Sequence, residues 1–376
     1  MKYMLLLLNI VVIMMMLMNK VMCKSSNSLR MMSSSGSRIS NLPKRLPINR
    51  LQKSAELLQE EEARAMRCIQ FLDSSPEPFH VVSTVIDRLE KCGFKALDET
   101  MLWKKGQLIK KGGKYYFTRN GSTIIAFTVG GKFIPGNGFK VIGAHTDSPN
   151  LKLKPRSKKT GSGLIQLNVE TYGGGLWHTW FDRDLSIAGR VILRSSIDNS
   201  KFEHRIVKID RPVLRVPNLC IHLRTPEERD AFKVNKEDHL IPILCDEIEK
   251  SLTKKDDKNE ENTEEIESDQ WASEQQPELL ELLAGELKCE VDDIIDFELS
   301  LYDTQKASIT GMRKEFLCSS RIDNLASVFV AVEALETHSS EESLSEDEDI
   351  AMVAFFDHEE VGSESNPGAG STIMRY

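Results

Sequence analysis

The chain has 376 residues, 40% of them hydrophobic and 28% charged, room for two ordinary domains with a sizeable core. Its net charge of −8 argues against a nucleic-acid binder, which needs a basic surface. Seven cysteines without a C-x-x-C pair argue against a disulfide scaffold or a thiolate zinc site and read as reduced residues, mostly of the core.

The N-terminus differs from the rest. Residues 4–18, MLLLLNIVVIMMMLM, are apolar apart from Asn9 and follow Lys2. This is the pattern of a signal-peptide core or a short signal anchor, and at about 15 residues it is short for a membrane span. The stretch after it is rich in Ser, Lys and Arg, with no acid before Glu56, the composition of an organellar transit peptide. A misassigned start is the third reading. Residues 1–55 are therefore set apart as a leader. The expected localisation is cytoplasmic, with an organelle or the secretory pathway as the alternative, and no membrane association is expected of the mature domain.

From Glu56 the pattern turns helical: Leu58, Ala65, Ile69 and Leu72 fall on one face. Ser74-Ser75-Pro76-Glu77-Pro78 breaks it, and HVVSTVIDRLEKCGF reads as a second amphipathic helix closed by Gly93. KYYFTR, STIIAFTV and KVIGAHTDS then read as strands between Gly-rich turns, with VIGA as a buried strand. Between about 155 and 245 the texture is largely β: GLIQLNVETY, AGRVILRSS and HRIVKIDRPVLRVP. Residues 255–270, KDDKNEENTEEIESDQ, form a charge run without apolar period and read as a solvated loop. PELLELLAGELKCEVDDIIDFELSLYDTQ returns to helix and strand, RIDNLASVFVAVEALETH to an apolar helix, and EDIAMVAFFD to a buried strand. An α/β domain interrupted by a β-rich insertion is the economical reading. In open α/β sheets, sites gather at the carboxyl ends of strands, and two such ends carry charge here: VIGAHTDS and VAFFDHEE.

His145-Thr146-Asp147 follows an apolar strand. In extended chain an H-x-D places both side chains on one side, where the Asp can fix the free ring nitrogen of a metal-bound His; a polar surface turn is the alternative. Asp323-Asn324 opens an apolar helix and reads either as an N-cap or as an acid placed to bridge two metal ions. Glu359 and Glu360 follow a strand. Neighbours in extended chain point in opposite directions, so the pair is ill placed to act as one bidentate unit. One carboxylate can ligate a metal while the other accepts a proton from water; the alternative is a polar loop. HEEVG is not H-E-x-x-H, and neither G-x-S-x-G nor a P-loop occurs. Gly173-Gly174-Gly175 reads as a flexible turn. One His, several carboxylates and no thiolate suggest a hydrolase site for zinc, manganese or cobalt.

The stretches GAHTDSPNLKLKP, YGGGLWHTWFDRDLSIAGRV, RPVLRVPNLCIHL, HLIPIL, RIDNL and FFDHEEVGSES resemble, in order, those of the aspartyl aminopeptidases, a metallopeptidase family. The resemblance covers residues 56–376. It implies an α/β metallopeptidase domain, residues 56–154 and 307–376, interrupted by a β-rich dimerisation domain at 155–306 whose charged loop lies at about 250–275. It implies two divalent ions, zinc first among them, with His145 and Glu360 as ligands and Asp323 bridging. Asp147 would support His145, Glu359 would be the general base, and His222 would reach the substrate in a neighbouring subunit's site. The implied substrates are peptides with an N-terminal Asp or Glu, and the implied assembly is a dodecamer built from dimers. The family's pattern continues past Tyr376 with further aspartate and histidine ligands, so the chain is expected to be a fragment. A non-catalytic oligomeric receptor or scaffold is the rival expectation.

Overall fold

The structure is a computed structural model that describes residues 55–101, 103, 108–195, 201–247 and 270–375. The leader before Ala55 and the acidic run before Gln270 lie outside the described residues. The chain divides between Glu62 and Ala63, and both sheets belong to the unit from Ala63 onward. Chain order is α1 (Ala55–Ser74), α2 (Pro78–Lys91), β1 (Lys95–Ala96), β2 (Lys114–Arg119), β3 (Thr123–Val129), β4 (Phe139–His145), β5 (Asn150–Gly161), β6 (Leu164–Tyr172), β7 (Leu185–Arg194), β8 (Phe202–Lys208), β9 (Ile243–Asp246), α3 (Pro277–Leu287), β10 (Ile294–Asp303), β11 (Ser308–Thr310), β12 (Phe316–Cys318), α4 (Ile322–His338), α5 (Glu341–Glu346) and β13 (Ile350–Phe356). Shorter helical turns punctuate these elements. Among the described residues no helix is long and apolar enough to cross a membrane.

The first sheet is mixed, in the order β1-β2-β3-β13-β4. β13 is antiparallel to β3 and parallel to β4. Its alternation sends Val353 and Phe355 to one face and Met352, Ala354 and Phe356 to the other, as a period of two requires. The first face packs on Val85 and Leu89 of α2 and on Leu325, Phe329 and Val332 of α4. The second packs on Tyr115, Phe127 and Ile373. α2 starts sharply because the buried Glu77 carboxylate accepts from the backbone N–H groups of Phe79 and His80, both at 3.0 Å.

One expectation is not met among the described residues. VIGA does not form a buried strand there: β4 is the last strand of the sheet, and Val141 and Ile142 keep 46% and 38% of their surface exposed. An apolar run reports strand propensity and says nothing about how many faces are covered.

The second sheet is antiparallel, in the order β8-β7-β10-β5-β6-β9, and is built from the sequence between β4 and β13. α3 lays Leu279, Leu280 and Leu283 on Leu151, Leu185, Ile187, Leu193, Leu299 and Leu301, giving this sheet its own apolar core. It begins at Asn150, so residues 146–149 alone carry the chain from the edge of one sheet into the other.

Phe355 is fully buried in the helix-side core, whereas Met312, on the β11–β12 turn, is 92% exposed. Phe355→Ala should cost about 3–5 kcal/mol through the cavity it leaves, and Met312→Ala should stay within about 0.5 kcal/mol of the parent. Denaturant unfolding of the two variants would measure both.

Candidate metal centre

β4 and β13 run in parallel, with His145 level with Phe356. The Thr146 N–H donates to the Phe356 carbonyl at 2.8 Å and holds the two strand ends together. The segments leaving β4 and β13 therefore emerge side by side, at the carboxyl edge where α/β sheets place their sites. The start of α4 joins them: the Ser148 hydroxyl donates to the Asp323 carbonyl at 3.0 Å.

This brings together His145, Asp147, Asp323, Glu359 and Glu360. His145 Nδ1 lies 3.3 Å from Asp147 Oδ1 and 3.0 Å from the Asp147 carbonyl. Its Nε2 faces Asp323 Oδ1 at 3.4 Å and Glu359 Oε2 at 3.7 Å. Donor atoms of His145, Glu359 and Glu360 all lie within 4.8 Å of one another. With Nδ1 held by the acid, Nε2 is the nitrogen turned to the cluster, the orientation a metal-binding imidazole takes. One imidazole and several carboxylates form a donor set that fits a zinc-type divalent ion.

Asp323 does not cap its helix. Its backbone and that of Asn324 depart from helical values, and Arg321 holds the cap position without a side-chain bond. The Asp323 side chain is 77% exposed and turned to His145. Glu359 and Glu360 are not extended either: they open a 3-10 turn, Glu359–Val361, entered through a left-handed His358. Their backbone N–H groups both donate to Asp147, at 3.2 and 3.1 Å. The turn, rather than strand alternation, separates the two carboxylates.

Asp147 is fully buried and also accepts the Tyr172 hydroxyl at 2.6 Å. Burial opposes its charge, but His145, Tyr172 and the Glu360 N–H outweigh this and hold its carboxyl below the ordinary range. Burial likewise opposes a charged His145, yet Asp147 and then Glu359 push it up from 6.5 to about 9. Burial raises the Glu360 carboxyl, and Asp147, Glu359 and Asp323 add to this against His145. Asp357, buried beneath the turn, is raised to about 6, chiefly by burial, with His358 opposing. The cluster is thus an accumulation of negative charge around a single imidazole, which a bound cation would relieve.

Local sequence signals give Tyr172 no role and make Gly173 part of a flexible turn. Gly173 instead has φ +75°, and a Cβ there would lie 2.9 Å from Glu360 Cβ. The signal available is a Tyr-Gly pair at the end of a strand in a block shared with the family. His222 sits apart from the cluster, on the exposed turn Ile221–Leu223. Beside the cluster a cavity of about 510 Å³, lined by Thr146, Ser148, Trp180, Lys306, Arg321 and Asp323 among others, opens at the junction of the two sheets.

An α/β sheet with a His–carboxylate cluster at its carboxyl edge is an arrangement found in metal-dependent hydrolases. The chain belongs to the aminopeptidase I zinc metalloprotease family (M18), whose profile matches residues 71–376. A probable aspartyl aminopeptidase of Ricinus communis is 45% identical over 317 residues, 81% of this chain and 64% of the relative. The structure resembles Ape4 in its complex with Nbr1, with TM-score 0.77 and 39% identity over 85% of this chain and 59% of that one. It also resembles the S. cerevisiae mApe1 dodecamer, with TM-score 0.69 and 31% identity over 84% of this chain and 65% of that one. The chain spans less than two thirds of the length of these relatives.

The His145 shift fixes a pH dependence. A folded-state value raised from 6.5 to about 9 stabilises the metal-free chain fully below pH 6.5, and that contribution is lost as pH rises through about 9. If His145 ligates zinc, the metal would have to displace this proton, and its affinity should strengthen as pH rises over the same range. Thermal melts and zinc titrations between pH 6 and 9 should therefore move in opposite directions; a pH-independent zinc affinity would contradict the assignment.

Proposed function

We propose that the chain carries the core of a metal-dependent aminopeptidase that removes N-terminal Asp or Glu from peptides. The observation that supports this most is the convergence of His145, Asp323, Glu359 and Glu360 at one strand edge, in a family described as a zinc metalloprotease. His145, Asp323 and Glu360 would hold the metal, as two divalent ions with Asp323 between them. Bound ions supply Lewis-acid polarisation of the scissile carbonyl and lower the pKa of water.

The remaining work falls to side chains of this chain. Glu359 is half exposed and faces the cluster, which supports reading its carboxylate as the base that would take a proton from the attacking water and return it to the departing amine. Asp147 holds the His145 ring and, through two N–H bonds, the turn that carries both glutamates. The adjoining cavity is within the size range of small-ligand sites and suits the peptide. The specificity for acidic residues follows the naming of the relatives. The second sheet is read as the dimerisation module, with His222 on its exposed turn serving a neighbouring subunit, and the assembly as a homo-oligomer like the mApe1 dodecamer. The rival reading of a non-catalytic receptor or scaffold is not favoured, because the relatives are named as aminopeptidases.

Cleavage of Asp-, Glu- and Leu-amide substrates by a full-length version of the protein tests the reading. Acidic substrates should be preferred and a chelator should abolish turnover. Glu359→Gln should lower kcat by about 10²–10⁴-fold with zinc content retained, whereas Glu360→Gln should lose zinc. Normal turnover by Glu359→Gln would overturn the base assignment.

A further inference from the structure

We propose that Tyr172 and Gly173, at the end of β6, form a positioning element of the metal centre, holding Asp147 and Glu360 from outside the sheet that supplies the candidate ligands. The proposal rests on the reading of the cluster as a metal site.

The Tyr172 hydroxyl donates to Asp147 Oδ2 at 2.6 Å. That oxygen also accepts the Glu360 N–H at 3.1 Å, while Oδ1 serves the Glu359 N–H and His145 Nδ1. Tyr172 therefore fixes the rotation of a carboxylate whose two oxygens are shared between the imidazole and the glutamate turn. Its own position is set by contacts within the second sheet and beside the turn. It pairs with Asn150, Lys152 Nζ sits 4.5 Å from its ring centroid, and Glu298 holds that lysine at 2.8 Å. The His358 ring lies 6.2 Å away. Tyr172 donates its hydrogen bond to Asp147 and acts through it, as outer partners of metal ligands do.

Gly173 acts by close approach. With φ +75°, a Cβ there would meet Glu360 Cβ at 2.9 Å and its carbonyl and Oε2 at 3.4 Å. Only a residue without a side chain lets the β6 end press on Glu360 at this distance. The hydroxyl contact and the steric contact fall on consecutive residues and on the two partners of a single hydrogen bond, Asp147 and the Glu360 N–H.

The test is zinc affinity of the full chain, measured by competition with a chromophoric chelator, alongside the melting temperature of the metal-free form. Tyr172→Phe and Gly173→Ala should each weaken zinc about tenfold or more. Tyr116→Phe removes another phenol that donates to a carboxylate, Glu90 at 2.7 Å, and should leave zinc affinity unchanged whatever it does to the melt. If Glu360→Gln weakens zinc and either β6 variant binds it normally, the proposal is overturned while the metal-site reading stands. If Tyr116→Phe weakens zinc as much as Tyr172→Phe, the effect is general loosening and the proposal is overturned. If the unsubstituted chain binds no zinc, or Glu360→Gln binds it normally, the metal-site reading falls and takes the proposal with it.

Discussion

The carboxylate of Asp147 is the constraint on which this centre depends. It is fully buried and it takes donors from three places: the end of β4, the turn after β13 and the end of β6. A buried charge without partners is prohibitively costly, and one with several good donors is strongly fixed. Each donor therefore holds the acid in place, and the acid in turn fixes the element that bears the donor. His145 is oriented, the glutamate turn is anchored and the second sheet is tied to the first through the same two oxygen atoms.

This arrangement explains why the site lies where the chain passes between sheets. Residues 146–149 link the edge strand β4 to β5, and Asp147 is within that link. A connection this short leaves little freedom, so the acid is confined to the seam. The first sheet supplies the imidazole and the glutamates; the second contributes a phenol and a glycine whose closeness sets where those glutamates sit. Each sheet has its own apolar core, and the seam lies between them.

Much of this is legible in the sequence. The strands KYYFTR and STIIAFTV, the helix after Asp323 and the charged ends of two apolar runs all carry local signals, and those runs end at the cluster. Four features are not settled by local sequence, for physical reasons. VIGA has the composition of a buried strand, but its place at an edge is decided by topology, which a local run does not encode. Strand alternation would set the Glu359–Glu360 geometry, whereas the left-handed His358 turns the chain first; a non-glycine residue in that conformation carries no clear sequence mark. Gly173 looks like a loosening residue because its contact, Glu360, is distant in sequence. Asp323 could be a helix cap on local grounds, and only its proximity to His145 distinguishes the two roles.

The parallel pairing of β4 with β13, with His145 level with Phe356, also limits what evolution can do with this region. A shift of one residue in that register would send Val353 and Phe355 to the opposite face of the sheet and move the glutamate turn by a residue relative to the histidine. The core residues and the charged residues are thus counted along the same ruler. An insertion or deletion within 139–145 or 350–356 disturbs both, so strand length here belongs to the chemistry as much as the acids do.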